Sequence, residues 1–336
     1  MTQTSPSTER AHPRLGSSRA AWPTAASWLL CGLVAPVVAY GLLSGTAYRG
    51  YSHDLVLSSR AQDVLTALVL PVLVRSGVRA SRGSLAAHVL WLGLMFYLAY
   101  SYAIYLIGWP QNRAFLLYAA VVTISVACLL DGVARIDVNC VQPAVARLST
   151  RAIGWFLVVV GVLFTALWLS DVGPSVWGGR QPAHVGVGGA PYAVYILDLT
   201  VALPVLVATG VMLVRRHPMG AIVGGVVLVK VLTLFTALWL GVAAQALAGG
   251  HVRMTSDMVP SALLLVVTAA VLVHGRQVLA TPAPRWLRTR LDRRSLGQLP
   301  QQPLPVTAPR TWTGRAARGS GRDVRPGRRA GPGARW

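Results

Sequence analysis

Apolar positions fall into eight long runs separated by short polar breaks, at about 25–45, 56–74, 84–108, 114–131, 152–170, 193–214, 219–247 and 258–275. About 20 apolar residues are needed to cross ~30 Å of hydrocarbon, so each run predicts a membrane-spanning helix. A spanning barrel would instead show alternating segments of about ten residues, and the pattern is one of runs. Pro36, Pro71 and Pro204 lie inside runs. Neighbouring helices can satisfy the carbonyl that a proline frees, so these are expected to kink helices rather than end them. A cleavable signal peptide ending near Ser44-Gly45-Thr46-Ala47 is the rival reading of the first run. The long tail before it and the spans after it favour an uncleaved helix. The expected fold is therefore all-α: a polytopic transmembrane bundle of about eight spans over residues 23–276. It is flanked by a polar tail, 1–22, and an Arg/Pro/Gly-rich tail, 277–336, both expected to be disordered and cytosolic.

Composition supports this and charge orients it. Apolar residues make up 54% of the 336 and charged residues 12%, where soluble proteins carry about 25%. Arginines in short loops stay on the cytosolic side. With the N-terminus inside, that side receives Arg10, Arg14 and Arg19, then Arg75, Arg79 and Arg82, then Arg135, Arg147 and Arg151, then Arg215 and Arg216, and every arginine from Arg276 onward. The other side receives Arg49, Arg60, Arg113, Arg180 and Arg253. An odd number of spans would break this alternation. The expected location is the bacterial cytoplasmic (inner) membrane, crossed several times.

The net charge of +21 is concentrated on the expected cytosolic face and tail. Trp286, Leu287 and Leu291 lie among Arg285, Arg288, Arg290, Arg293 and Arg294. That pattern predicts contact with anionic lipid headgroups, at roughly 1 kcal/mol per basic residue. Arg/Gly richness without tyrosines or an RNP-like motif argues against nucleic acid as the partner. Two short echoes occur, Pro71–Val74 with Pro204–Val207 and Leu163–Leu169 with Leu234–Leu240. Their registers disagree, which argues against an internal duplication.

The main chemical feature is Lys230, the only lysine among 31 basic residues. It lies about 18 Å into the seventh run at 1.5 Å per residue. An ionised lysine at that depth costs on the order of 2.5–3.5 kcal/mol on insertion scales, so something must offset it. Thr233, Ala237 and Gly241 follow at helical spacing, a small and partly polar face suited to the bundle interior. Asp198 is a candidate partner, but its expected place near the outer end of the sixth run would demand a shifted helix or a bridging water. The alternatives are a structural ion pair and a lysine snorkelling along its stem. Tyr97 and Tyr100 lie deeper than an interfacial aromatic belt requires, so they are expected to face the bundle or a ligand cavity. Lys230, Asp198, Tyr97, Tyr100 and Thr233 are thus the candidate pathway or buried polar residues.

Other groups carry less. Asp63, Asp171, Asp198 and Asp257 fall near outer helix ends, where capping and the helix dipole would account for most of them. His53, His184 and His251 sit in three separate outer loops with no spacing that fixes a metal site. Cys31, Cys128 and Cys140 form no zinc or disulfide pattern. No P-loop, GxSxG, GxGxxG after a strand, or CxxCH is present. No cofactor is expected, and the absence of catalytic spacing argues against an enzyme.

The region around Tyr97–Tyr105, Asn112–Tyr118 and Asp198…Arg215-Arg216-His217-Pro218-Met219-Gly220…Lys230 resembles a loose set of uncharacterised bacterial polytopic integral membrane proteins. The resemblance covers about residues 25–275. It implies a multi-span helical membrane protein and no particular activity. The function expected from the residues is permease-like, for a small solute or ion. The alternative is a non-catalytic membrane sensor or assembly subunit that contacts lipid or partners through its basic tail.

Overall fold

The structure, a computed structural model, describes residues 21–108, 111–137, 150–179, 190–249 and 258–279, all within one compact unit. They form helices, with no strand among them. The helices are α1 (Trp22–Leu43), α2 (His53–Ser81), α3 (Leu85–Gly108), α4 (Phe115–Ala134), α5 (Thr150–Gly178), α6 (Ala190–Leu197), α7 (Leu203–Val214), α8 (Pro218–Leu247) and α9 (Met258–Leu279). A π-helical turn, Asp198–Ala202, joins α6 to α7. Seven helical segments are long and apolar enough to span a membrane, counting Tyr192–Val214 as one. The eighth expected span is helical over Met258–Leu279, but its described apolar part, Ser261–Val273, is shorter than the other seven. The chain is an integral membrane helix bundle. The two tails lie outside the described residues.

Two helices outrun their apolar limits. Hydropathy predicts an end near residue 74 for α2 and near 170 for α5, yet they continue to Ser81 and Gly178. A helix that leaves the apolar layer keeps its own backbone hydrogen bonds and needs a positive breaker to stop it. Gly83 at φ +90° and Gly179 at φ +64° supply one just beyond each end. The Arg215–Pro218 turn stops α7 and starts α8 in four residues. Arg216 takes a left-handed φ of 55°, and the His217 and Arg216 N–H groups return to the Met212 and Leu213 carbonyls at 2.8 and 3.1 Å. The His217 Nδ1 then accepts from the Met219 N–H at 3.3 Å, and Pro218 occupies the first turn, where its missing N–H costs nothing.

α3 is the central helix and is buried along nearly all its length. It packs against α2, α4, α6 and α8, and α5 packs mainly on α7. α5 is peripheral, exposing Trp155, Val159, Val162, Leu163 and Leu167, as expected for a lipid-facing helix. α6 and α7 continue one another through the π turn as a single span. One end of the bundle gathers Arg75, Arg79, Arg82, Arg135, Arg151, Arg215 and Arg216 from α2, α4, α5 and the α7–α8 turn. This is called the arginine end. The opposite, tyrosine end holds Tyr48, Tyr97, Tyr100, Tyr102, Tyr105, Tyr118 and Tyr195.

The arginine end is closed by glycines. A Cβ on Gly154 of α5 would lie 2.7 Å from the Gly210 carbonyl of α7, and one on Gly210 would lie 2.7 Å from the Gly154 carbonyl. The two backbones therefore touch, as in small-residue contacts between membrane helices. Polar groups here close on near neighbours. The Trp91 Nε1–H donates to Ser27 Oγ at 2.8 Å, and Ser27 in turn donates to the Pro23 carbonyl at 2.7 Å. A His88 ring nitrogen lies 3.2 Å from the Gly132 carbonyl.

Candidate functional site

The tyrosine end is built differently. α2 presents Leu55, Ser58, Ser59 and Gln62, a stripe at i, i+3, i+4 and i+7, toward α3 and α8. α3 answers with Tyr97, Tyr100, Ser101, Ile104 and Tyr105, and α8 with Lys230 and Leu234. Between them lies a cavity of about 150 Å³. Its wall carries several hydroxyls and one charge, the Lys230 ammonium.

Lys230 and Asp198 are both buried, at 5% and 7% exposure, and they belong to one cluster without touching. The Lys230 Nζ lies 3.7 Å from the centroid of the Tyr100 ring. That is a cation–π contact, which gains strength in a desolvated site. The Tyr100 hydroxyl donates to Asp198 Oδ1 at 2.6 Å, and the Trp168 Nε1–H of α5 donates to Oδ2 at 2.9 Å. The sequence demanded either a shifted helix or a bridging water for this pair. The bridge between them is a tyrosine. Pro204 lacks the N–H that would donate to the Thr200 carbonyl. The helix widens just before it into the π turn that begins at Asp198, closed by the Leu203 N–H on the Asp198 carbonyl.

Tyr97 lines the cavity but its hydroxyl is engaged: Gln62 Nε2 donates to it at 2.5 Å, and it shares a hydrogen bond with Thr66 at 2.8 Å. Gln62 also reaches Ser101 Oγ at 3.4 Å, and Gln245 Nε2 donates to Ser58 Oγ at 3.0 Å. Thr233, a sequence candidate, is buried but turned to its own helix. Its hydroxyl contacts the Lys230 and Val229 carbonyls at 2.8 and 3.1 Å, and it does not line the cavity. Lys230, Tyr97 and Tyr100 therefore share the cavity, Asp198 stands behind it, and Thr233 lies outside it.

Sequence reasoning missed the α2 contribution. Ser58, Ser59, Gln62 and Thr66 form a polar helical stripe within an otherwise apolar run, and that period was the available signal. Trp168 had no such signal. The acids also need correction. Asp63 is 2% exposed, eleven residues into α2 and bonded to the Tyr48 hydroxyl, while the N-cap of α2 is Ser52. Gly41 makes room for the Asp63 carboxylate, since a Cβ there would collide with it. Asp198 is likewise buried and bonded rather than exposed as a cap. Asp171 accepts from the Tyr195 hydroxyl. Asp257, His184, His251 and Cys140 lie outside the described residues. No group of three or more His, Cys, Asp or Glu side chains suited to a metal ion is present among the described residues.

A second cavity, of about 140 Å³, lies at the α1–α2 and α3–α4 loops and is lined by Thr46, Tyr48, Arg49, Tyr51, Gln111 and Asn112 among others. Asn112 ties these loops together, donating to the Ala47 carbonyl at 3.4 Å and the Tyr118 hydroxyl at 3.2 Å. Burial, then the Asp63 carboxylate, pushes the Tyr48 phenol well above its ordinary range and keeps it a donor. Tyr105 lines both cavities. Comparison with family models, curated proteins and solved structures gives no match. The geometry alone therefore carries the assignment, which is an integral membrane helix bundle with a mostly apolar cavity that Lys230 helps to line.

Proposed function

We propose that this chain is permease-like for a small solute or ion, with the Lys230 cavity as its solute site and Tyr105 as the partition toward the second cavity. The observation that carries this reading is an ammonium group on a cavity wall, with its nearest acid held away by Tyr100 and Trp168. A purely structural lysine would be expected to close directly on the carboxylate, since a buried charge is costly until paired. The arginine distribution supports placing the arginine end in the cytosol of a bacterial inner membrane, so that both cavities lie in the outer half of the bundle. Contact of the basic tail with anionic lipid fits the same orientation.

The test is solute flux into proteoliposomes containing the full chain, compared with Lys230→Met. Saturable flux that falls at least tenfold in a folded Lys230→Met protein supports the reading. Flux indistinguishable from protein-free vesicles over a broad solute panel overturns it. In that case a cavity that still binds solute would indicate a non-catalytic membrane sensor.

A further inference from the structure

Resting on that reading, we infer that the Lys230 cavity takes a small organic monocarboxylate, its carboxylate on the Lys230 ammonium and its short alkyl part against Leu55, Ile104 and Leu234.

The sign of the ligand follows from what lines the route. Each cavity carries one charged side chain on its wall: Arg49 in the loop cavity and Lys230 in the inner one. Both are cations, and neither wall includes a carboxylate. Asp198 is turned away into the Tyr100 and Trp168 donors, and Asp63 is occupied by Tyr48. A cationic solute would meet Arg49 first and then Lys230, with no acid at either surface to receive it.

The donor count points the same way. Lys230 has three N–H donors. One face of the ammonium rests on the Tyr100 ring, and no acceptor among the described residues takes the others. Ser58 and Ser101 each accept a hydrogen bond from an amide, Gln245 and Gln62 respectively. The Ser58 hydroxyl hydrogen finds no acceptor among the described residues, whereas the Ser101 hydroxyl is taken up by the Tyr97 phenol oxygen. An ammonium and one hydroxyl with a spare hydrogen supply the donors that suit a single oxyanion through charge-assisted hydrogen bonds.

Size and polarity select within the anions. A cavity of about 150 Å³ accommodates a molecule of about six heavy atoms, as an engineered cavity of that size holds benzene. Leu55, Ile104 and Leu234 give the remaining wall an apolar character that a multiply charged oxyanion would leave unused. The chemistry that matches donors on one side and aliphatic contacts on the other is an acetate-to-butyrate monocarboxylate.

The test is isothermal titration of the full chain in lipid nanodiscs with acetate, propionate, butyrate, butylammonium, 1-butanol and chloride. Propionate and butyrate are expected to bind saturably, at least tenfold more tightly than butylammonium or 1-butanol. Lys230→Met should weaken butyrate at least tenfold. Leu234→Phe, which keeps the ammonium and shortens the apolar pocket, should weaken butyrate several-fold more than acetate, and this arm holds even if Lys230→Met fails to fold. Equal binding of butylammonium, chloride as tight as butyrate, or unchanged butyrate affinity in Lys230→Met overturns the inference. Carboxylate binding without flux would sink the permease reading and leave this one standing. Flux of another solute without carboxylate binding would do the reverse.

Discussion

The two ends of α3 treat polar atoms in opposite ways. Toward the arginine end, Trp91 and His88 are fully buried and close on Ser27 and the Gly132 carbonyl, amid helices that glycines bring into backbone contact. Toward the tyrosine end, Tyr97, Tyr100, Ser101 and Tyr105 reach across a gap to Gln62, Asp198 and Ser59. Where glycines let backbones touch, no volume remains for a ligand. Where tyrosines and serines stand between helices, side-chain length props them apart and leaves a cavity with donors on its wall. The bundle thus pairs a tightly closed end with an end that holds a cavity, and substitutions should separate the two.

The largest effect is expected at the closed end. Gly210→Leu forces a side chain into the Gly154 backbone, which cannot yield as a flexible side chain would. A loss of about 3 kcal/mol or more, at the upper end of overpacking costs, should appear as a collapse of thermal stability in detergent. Leu234→Phe at the cavity should cost less than about 1 kcal/mol by the same assay. Equal losses at both sites would break the contrast.

Asp198→Ala comes next. It strands the Tyr100 hydroxyl and the Trp168 N–H and removes the carboxylate that balances Lys230. Membrane hydrogen bonds contribute up to about 1.7 kcal/mol each, so a loss on the order of 2 kcal/mol is expected from denaturation in mixed micelles. Asp198→Asn keeps an acceptor for one donor and should recover about half of it.

Trp91→Phe sharpens the description of the closed end. Ser27 keeps the Pro23 and Leu73 carbonyls as acceptors after the indole N–H is gone, so the cost should be about 1 kcal/mol. A loss as large as that of Asp198→Ala would mean that the α1–α3 packing at this end depends on this polar link.

Ser101→Ala should have the smallest effect on stability, under about 0.5 kcal/mol, because Gln62 retains Tyr97. The same variant removes a hydroxyl that lines the cavity beside Tyr97, so butyrate affinity measured by titration should still fall several-fold. A variant that loses stability but keeps affinity would place Ser101 in the scaffold.

Much of this was legible in the chain itself. Apolar runs located the helices, because hydrocarbon thickness sets a minimum length that composition reveals. Lys230 stood out because an ammonium at mid-depth is costly, and Tyr97 and Tyr100 because they lie too deep for a belt. The partnerships were not legible. Asp198 opens a π turn just before Pro204, a register change that hydropathy does not encode. Asp63 looked like a cap because its distance along the sequence from the helix start was read against the apolar run, and α2 begins earlier, at His53. Trp168 reaches Asp198 only because Gly154, Gly161 and Gly210 let α5 lie close on α7. Such contacts between helices depend on crossing geometry, to which single-helix periodicity is blind.

The most direct test of the contrast between the ends is thiol accessibility in a background with Cys31, Cys128 and Cys140 replaced. A small water-soluble methanethiosulfonate should label a Ser101→Cys variant at least tenfold faster than a Ser27→Cys variant, and butyrate should slow only the former. Equal rates at the two positions, or faster labelling at position 27, would contradict a cavity at the tyrosine end and a closed arginine end.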